Sequence, residues 1–442
     1  MIKLKYSQIL KLNNELGNKL QSNPYNITIL SNIIVHQIKE LLEYRLRKES
    51  LNAKVEFGDY NNIVQDSDKY KDSHAVVIFW ELCNIIESFQ YKIDLYNENQ
   101  LVEIFEKIKS EIDFVLHNLE KTSLVLINKF TSLSFYRLNI RKNNFEKLAG
   151  KLNQYLKEKI TSNVRLVNID KAIASVGITN SIDLRYYYSS KALYKVDFFK
   201  VYTDLINPFF MSTNGKAKKA LIFDCDNTLW KGILGEDGFE KIEMSAVTEN
   251  GAIYAEIQSM ALALSNQGIL IGLCSKNNLN DVDEVIKSHP DMQLRDKHIT
   301  INKSNWSDKV TNLKEISREL NISLDSLVFI DDSSFEVNLI REKLPEVTVL
   351  QVPERLYEYP SLLGKKMGLF HNFSLTAEDR NKIDMYKQQV KRDTIKKKFI
   401  DIEDYISSLE LKMTIFEDDE SIIARMSQMT QKTNQFNLST KR

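Results

Sequence analysis

Short apolar runs alternate with amphipathic segments over the first half of the chain. The strand-like runs occupy residues 26–35, 53–60, 74–80, 122–128 and 164–169. Segments with apolar residues at helical spacing lie between them, at 38–50, 100–119 and 143–160. Strands that alternate with helices in this way indicate a parallel sheet covered by helices. We therefore predict an α/β domain over residues 1–210.

A second rhythm of the same kind follows the small, polar and basic stretch 211–219, which we predict to be a linker. Its strand-like runs begin at Leu221 and continue at 269–275, 326–332 and 346–352. Helical spacing is found at 253–268, 280–289, 308–320 and 335–344. The pattern predicts a doubly wound parallel sheet over 220–372. The remaining residues, 373–442, open with a long charged segment typical of a helix.

The composition narrows the class of protein. Lys and Arg number 60, as do Asp and Glu, so no net charge draws the chain to nucleic acid or to a membrane surface. We find neither a signal-peptide pattern nor an apolar run of the ~18 residues that a membrane span needs. The three cysteines form no CxxC pair, which is typical of reduced thiols. We expect a cytoplasmic protein.

Polar residues stand at the ends of several strands of the second domain. They are Asp224 and Asp226, which follow the first strand, Ser275, Asp331 and Asp332, together with Lys309 at the start of a helix. The carboxyl ends of parallel strands share one edge of a sheet, where ligands bind. Carboxylates that converge there repel one another and raise one another's pKa, and a hard divalent cation relieves that repulsion. We therefore predict a Mg²⁺ site.

The order of these residues resembles the haloacid dehalogenase superfamily. DCDNT is similar to its first motif, DxDxT, and LCS, Lys309 and IDD to the other three. LIFDCDNTLWKGILGEDG, GILIGLCSKNN, NWSDKVTNLKEI and LVFIDDSSFEVNLIR together resemble its FkbH-like subclass IIIC. That resemblance implies a Rossmann-like phosphatase domain without a large cap, preceded by a degenerate SGNH-hydrolase-like domain. It also implies that residues 373–442 continue into the start of an acetyltransferase-like region.

The resemblance implies a role for each carboxylate. Asp224 is the expected nucleophile, which forms an aspartyl-phosphate. Asp226 is the expected general acid and base. Mg²⁺ is expected on Asp224, Asp331 and the main-chain carbonyl of Asp226, with Asp332 as a further or water-mediated ligand. Lys309 is expected to keep Asp224 ionised and to stabilise the transferring phosphoryl group.

The phosphoryl group is expected to contact Thr228, Ser275, Lys276, Asn277 and Lys309. Lys276, the neighbour of Ser275, is the rival for the role of Lys309, and we favour Lys309 because the subclass motif places it there. Cys225 and Cys274 flank the site, where a thiol could carry an acyl group, but we favour a structural role in the core. Trp230 and Trp306 also lie beside motifs, and we favour core packing over substrate stacking for both.

Three functional hypotheses remain open. The first is a Mg²⁺-dependent phosphatase or phosphotransferase, which dephosphorylates a phosphorylated three-carbon acid and loads the acyl unit onto an acyl carrier protein. The second is a phosphatase for sugar phosphates or other metabolites in surface-polysaccharide synthesis. The third is a non-catalytic scaffold. The first domain is expected to have no hydrolase chemistry, since ILSNI stands where a serine nucleophile would be and no Asp-x-x-His occurs near 183–200.

Overall fold

The computed structural model describes residues 4–133, 143–371 and 386. The helices and strands predicted over 376–416, and the acetyltransferase-like region, lie outside these residues. The rest of the chain forms two five-stranded sheets within one compact unit, Met1–Tyr386. Every strand pair in both sheets is parallel. The predicted α/β class is confirmed.

The first sheet has the strand order β2-β1-β3-β4-β5. Its strands are β1 (Tyr25–Ser31), β2 (Ala53–Phe57), β3 (Ala75–Phe79), β4 (Leu124–Asn128) and β5 (Val164–Val167). The helices are α1 (Tyr6–Lys19), α2 (Ile38–Arg47), α3 (Ile63–Lys69), α4 (Phe89–Lys92), α5 (Glu98–Asn118), α6 (Asn144–Glu158), α7 (Ile169–Val176), α8 (Ile178–Ser181), α9 (Leu184–Ser190) and α10 (Val196–Thr213), with 3-10 turns at Leu82–Asn84 and Ile93–Leu95. All residues of β3 and β4 are buried, as expected for central strands covered on both faces.

The second sheet has the strand order β10-β9-β6-β7-β8. Its strands are β6 (Ala220–Phe223), β7 (Leu270–Ser275), β8 (Ile299–Ser304), β9 (Leu327–Asp331) and β10 (Thr348–Gln351). The helices are α11 (Leu234–Asp237), α12 (Glu249–Ser265), α13 (Leu279–Ser288), α14 (Lys309–Glu319), α15 (Ser334–Lys343) and α16 (Tyr359–Lys366), with 3-10 turns at Leu324–Ser326, Leu356–Glu358 and Met367–Phe370. The chain starts in the middle of the sheet at β6 and later returns to its other side with β9. The strand order therefore reverses between β6 and β9, which is where ligands bind in such folds.

The passage between the two sheets is shorter than the predicted linker 211–219, because α10 extends to Thr213. The main-chain amide of Lys218 donates to the carbonyl of Leu369 at 2.8 Å, and the ring of Phe209 lies edge-on to His371. The side chain of Lys216 donates to the carbonyl of Glu49 at 3.0 Å. The first two contacts join α10 and the passage to the end of the second half, and the third joins the passage to the residues that follow α2.

The carboxyl edge of the first sheet carries a buried polar network. Asn32, after β1, accepts from the main-chain amide of Glu81 and donates to its carbonyl, at 2.7 and 2.8 Å. The hydroxyl of Tyr194 donates to the Glu81 carboxyl at 2.9 Å. Burial raises the pKa of Glu81 to about 8, so this carboxyl is largely protonated at neutral pH. Ser31 donates its hydroxyl to the carbonyl of Ile33, a local contact rather than that of an activated nucleophile.

Candidate active site

The two central strands of the second sheet bring the predicted carboxylates together. Asp224 directly follows β6, Asp331 ends β9, and these strands pair with Phe223 opposite Ile330. The main-chain amide of Asp224 donates to the carbonyl of Ile330 at 2.9 Å. Both side chains are buried, so the parallel ladder itself holds two carboxylates side by side in the interior.

Lys309 lies between these two carboxylates. Its ammonium nitrogen is 2.7 Å from Asp331 Oδ2 and 3.2 Å from Asp224 Oδ1. Lys309 is the first residue of α14, whose N-cap, Asp308, accepts a hydrogen bond from the main-chain amide of Thr311 at 2.8 Å. The cap fixes the start of the helix and thereby the position from which the lysine side chain enters the site.

The charges of this cluster do not balance. Burial raises the pKa of Asp224 to about 7, against the opposing effect of the Lys309 ammonium. Burial also acts against the charge of Lys309, but Asp224 and Asp331 outweigh it and the lysine pKa is raised. Burial and the nearby Asp331 raise the pKa of Asp332 as well. Three carboxylates thus share one ammonium, and a further cation would relieve the remaining negative charge.

Asp224, Asp331 and Asp332 each present an oxygen within 4.8 Å of the others. Asp224 Oδ1 is buried and forms no hydrogen bond, because its contact with Lys309 is close but poorly aligned. An all-oxygen set with unused lone pairs fits a hard divalent cation. The carboxylate of Asp226 does not belong to this group of described residues, which leaves its main-chain carbonyl as the donor expected from the sequence.

The side chain of Asp226 is held by three donors. Oδ1 accepts from the indole nitrogen of Trp230 and from the main-chain amide of Leu234, both at 3.0 Å. Oδ2 accepts from the side-chain amide of Asn277 at 2.9 Å. The turn that makes this possible needs left-handed backbone at Asn227 (φ 50°) and Gly232 (φ 102°). We did not predict Trp230 and Leu234 as partners, since their contacts depend on this turn.

Two of the residues predicted to contact phosphate, Ser275 and Asn277, lie beside Asp226. Ser275 ends β7, is buried, and accepts a hydrogen bond from Asn277 at 3.1 Å. The hydroxyl of Thr228 is buried and forms no hydrogen bond. Lys276 instead directs its ammonium to Glu336, at 2.6 Å. The structure therefore places Lys309, and not its rival Lys276, against the buried carboxylates.

The two flanking cysteines lie in the core. Cys225 and Cys274 are completely buried. Burial raises the pKa of both thiols, so they stay protonated and are poor nucleophiles at neutral pH. The structural role that we favoured is in keeping with this position.

The two tryptophans beside the motifs behave differently. Trp230 is fully buried, as expected, and donates to Asp226. Trp306 is 72% exposed, and the core packing that we predicted for it is wrong. It stands in the turn between β8 and α14, beyond the edge of the sheet, where no layer of the described fold covers it.

No cap domain is inserted between β6 and β10, a stretch that the structure describes in full. The segment between β6 and α12 contains only the four-residue helix α11, in a loop closed by an antiparallel bridge between Lys231 and Glu243. One helix, α13, connects β7 to β8. The described residues between β6 and β8 therefore contain no inserted domain over the carboxylates.

The fold is similar to that of a solved phosphatase structure. The N-terminal part of the protein BF1531 from Bacteroides fragilis, which contains a phosphatase domain and was crystallised in complex with Mg, superposes with a TM-score of 0.73. The match has 24% sequence identity and covers 84% of this chain and all of the other. The apo-structure of D-lactate dehydrogenase from Escherichia coli matches over 84% of this chain and 97% of its own, at 14% identity and a TM-score of 0.15. No protein-family model and no curated protein matches the chain.

Among the residues that the structure describes, no helix combines the length and the apolar character needed to cross a bilayer.

Proposed function

We propose that the chain is a Mg²⁺-dependent phosphatase or phosphotransferase of the haloacid dehalogenase type, acting through an aspartyl-phosphate. One observation carries the proposal: oxygens of Asp224, Asp331 and Asp332 lie within 4.8 Å of one another, and the one ammonium beside them in the described structure, that of Lys309, pairs with Asp224 and Asp331. Three carboxylates gathered around one ammonium leave negative charge for a cation to neutralise. The fold shared with a Mg-complexed phosphatase domain supports the same chemistry.

Asp224, Asp331 and Asp332, with the main-chain carbonyl of Asp226, are the groups that would hold the cation. When bound, Mg²⁺ neutralises charge on the phosphoryl oxygens and on the carboxylates. Lys309 stays beside the carboxylates and contributes a second positive charge. The main-chain amide of Asn277 and the hydroxyls of Ser275 and Thr228 would donate to the remaining phosphoryl oxygens, since both side-chain N–H groups of Asn277 are used by Asp226 and Ser275.

The reaction would proceed in two displacements. In the first, an Asp224 oxygen attacks phosphorus, the bond from phosphorus to the leaving oxygen breaks, and Asp226 gives its proton to that oxygen. In the second, Asp226 takes a proton from water, the water oxygen attacks phosphorus, and the bond to Asp224 breaks. Inorganic phosphate leaves and both aspartates return to their starting states. Trp230, Leu234 and Asn277 orient Asp226 for these proton transfers.

The finer hypotheses concern the substrate. One is a phosphorylated three-carbon acid whose acyl unit passes to an acyl carrier protein, and the other is a sugar phosphate used in polysaccharide synthesis. The capless edge supports a substrate with a bulky part outside the site. A screen of acyl phosphates, with and without carrier protein, against sugar phosphates separates the two. The non-catalytic scaffold is disfavoured by the imbalance of buried charge.

The direct test is Asp224→Asn in the full chain. The variant should lose turnover of phosphomonoesters and should form no acid-stable, hydroxylamine-sensitive phosphoenzyme, because an amide neither attacks phosphorus nor balances the cation. The matched control is Asp325→Asn, an exposed aspartate at the opposite end of β9. It should retain activity. Turnover in the Asp224→Asn protein at the level of the control would refute the assignment.

A further inference from the structure

The exposed apolar side chains of the second half of the chain are distributed unevenly. Within residues 216–371, which the structure describes in full, the large apolar side chains classed as exposed are Ile233, Val247, Leu279, Trp306, Phe335 and Tyr357. Each of them follows a strand or precedes a helix that starts at the carboxyl edge of the sheet. The loops that lead into the strands, at the opposite edge, carry none of them. Single exposed apolar residues need no explanation, but a set confined to the edge that bears the active site does.

Trp306 is exposed but held in place. Its indole nitrogen donates to the side-chain oxygen of Asn278 at 3.0 Å, and the Asn278 amide donates to Asp281 at 3.1 Å. The preceding residue, Asn305, donates its main-chain amide to the carbonyl of Ser275 at 3.0 Å and exchanges side-chain hydrogen bonds with Asn312. An indole that is oriented in advance loses little freedom when a ligand covers it.

The loop after β7 connects this indole to the acid/base. Asn277 donates to Asp226 and to Ser275, and the next residue, Asn278, holds Trp306. The residue before Asn277, Lys276, pairs with Glu336, which follows the exposed Phe335 in the sequence. Consecutive residues of this loop therefore link Asp226 to the Trp306 side chain and to the helix start that carries Phe335.

We propose that Trp306 and Phe335 form a subsite for the leaving group, and that the substrates are phosphomonoesters whose leaving group carries an apolar, preferably planar, part. This inference rests on the proposed phosphatase function and adds the substrate class. The indole face provides the stacking surface, and Phe335 provides apolar contact from the far side of the Lys276–Glu336 pair. Small, wholly hydrophilic sugar phosphates would leave both rings in water and gain nothing from them.

The test compares two alkyl phosphomonoesters whose leaving alkoxides are similarly basic, 3-phenylpropyl phosphate and glycerol 3-phosphate. The full-length wild type should prefer the phenylpropyl ester. Trp306→Ala should lower kcat/KM for that ester about tenfold, mainly through KM, and leave the glycerol ester within about twofold. Phe335→Ala should act in the same direction, and Trp306→Phe should restore most of the loss. Phe114→Ala, which removes an aromatic ring 53% exposed on α5, should change neither ester.

Binding is measured separately, so that the two proposals can fail separately. Of the three tryptophans, Trp80 and Trp230 are buried and only Trp306 is exposed. Acrylamide quenching of the fluorescence therefore reports mainly on Trp306. With Mg²⁺ present, 3-phenylpropylphosphonate should protect the fluorescence from acrylamide, and methylphosphonate should not.

Protection without hydrolysis of these esters, of acyl phosphates or of sugar phosphates would support the subsite and refute the phosphatase function. Hydrolysis with no protection, and with equal kcat/KM in wild type and Trp306→Ala, would keep the function and refute the subsite. An equal loss on both esters in Trp306→Ala would also refute the subsite, because a general effect on the active site would then explain it.

Discussion

Replacing Lys309 with methionine removes the only cation that the described structure places between Asp224 and Asp331. Methionine keeps the length of the apolar stem and loses the ammonium. At an effective dielectric constant of about 20, contacts at 2.7 and 3.2 Å correspond to gross attractions of about 6 and 5 kcal/mol. Desolvation of the ammonium offsets much of this, and breaking a buried ion pair costs about 3–5 kcal/mol in practice. Proton uptake by Asp224 relieves part of the repulsion between the carboxylates. We therefore expect Lys309→Met to lower the free energy of unfolding by about 3 kcal/mol.

Mg²⁺ should recover much of that loss, because it neutralises the same carboxylates. A cation at about 100 times its Kd stabilises the folded state by about 2.7 kcal/mol, and removal of the lysine should tighten its binding. The assay is urea unfolding of wild type and Lys309→Met in EDTA and in Mg²⁺. The stabilisation by Mg²⁺ should be larger in the variant than in the wild type.

The chain offers a matched control in Lys303. Its ammonium also bridges two carboxylates, Glu315 and Glu319, each at 3.0 Å, but outside the candidate site. Lys303→Met should cost at most about 1 kcal/mol, because the three side chains are partly exposed, and Mg²⁺ should not restore it. If Lys309→Met loses no more than this control, or gains no more from Mg²⁺ than the wild type, the electrostatic account of the site is wrong.

Three further predictions concern the site and the first sheet. Asp226→Asn should slow steady-state turnover by about 10²–10⁴-fold. Formation of the phosphoenzyme should be slowed least for acyl phosphates, because their leaving groups need no proton. An equal loss on all substrates would indicate that Asp226 has a purely structural role. EDTA should abolish activity, Mg²⁺ should restore it, and Ca²⁺ should restore it poorly, because Ca²⁺ takes more ligands at longer distances; full activity in excess chelator would contradict the metal site. Glu81→Gln should stabilise the protein against urea at pH 8 and not at pH 4.5. The folded state keeps Glu81 protonated up to about pH 8, whereas the carboxyl of the unfolded chain ionises near pH 4.5, so the wild type loses stability between these values and the glutamine variant does not. A gain that does not grow between these two pH values would contradict the buried, neutral carboxyl.

The strands and the order of the site residues could be predicted because both follow from local patterns. All residues of β7 are buried, so the apolar run alone identifies it. The parallel arrangement then brings the residues that follow β6 and β9 to one edge, which is why Asp224 and Asp331 could be expected together. Nothing beyond strand direction and order was needed for that step.

The last helix of the first half was not predicted, for two physical reasons. α10 contains Pro208, which usually ends a helix, and many of its residues are buried, so it lacks an alternation of apolar and polar faces. The structure shows what compensates: the Pro208 ring lies against Gly368, where the Cβ atom of any larger residue would come within 2.8 Å of the ring. A contact between residues so distant in the sequence leaves no local signal.

Both sheets carry buried carboxyl groups at their carboxyl edges, but the two edges differ in how the buried negative charge is neutralised. In the first sheet the single carboxyl of Glu81 becomes neutral because burial raises its pKa, while Tyr194 donates to one of its oxygens and Asn32 bonds its main chain. In the second sheet oxygens of three carboxylates lie within 4.8 Å of one another, and one lysine pairs with two of them. The first edge therefore needs no ion, and the stabilisation gained by Glu81→Gln should be the same in EDTA and in Mg²⁺. The second edge does need one, so the cost of removing the Lys309 ammonium should depend on the metal.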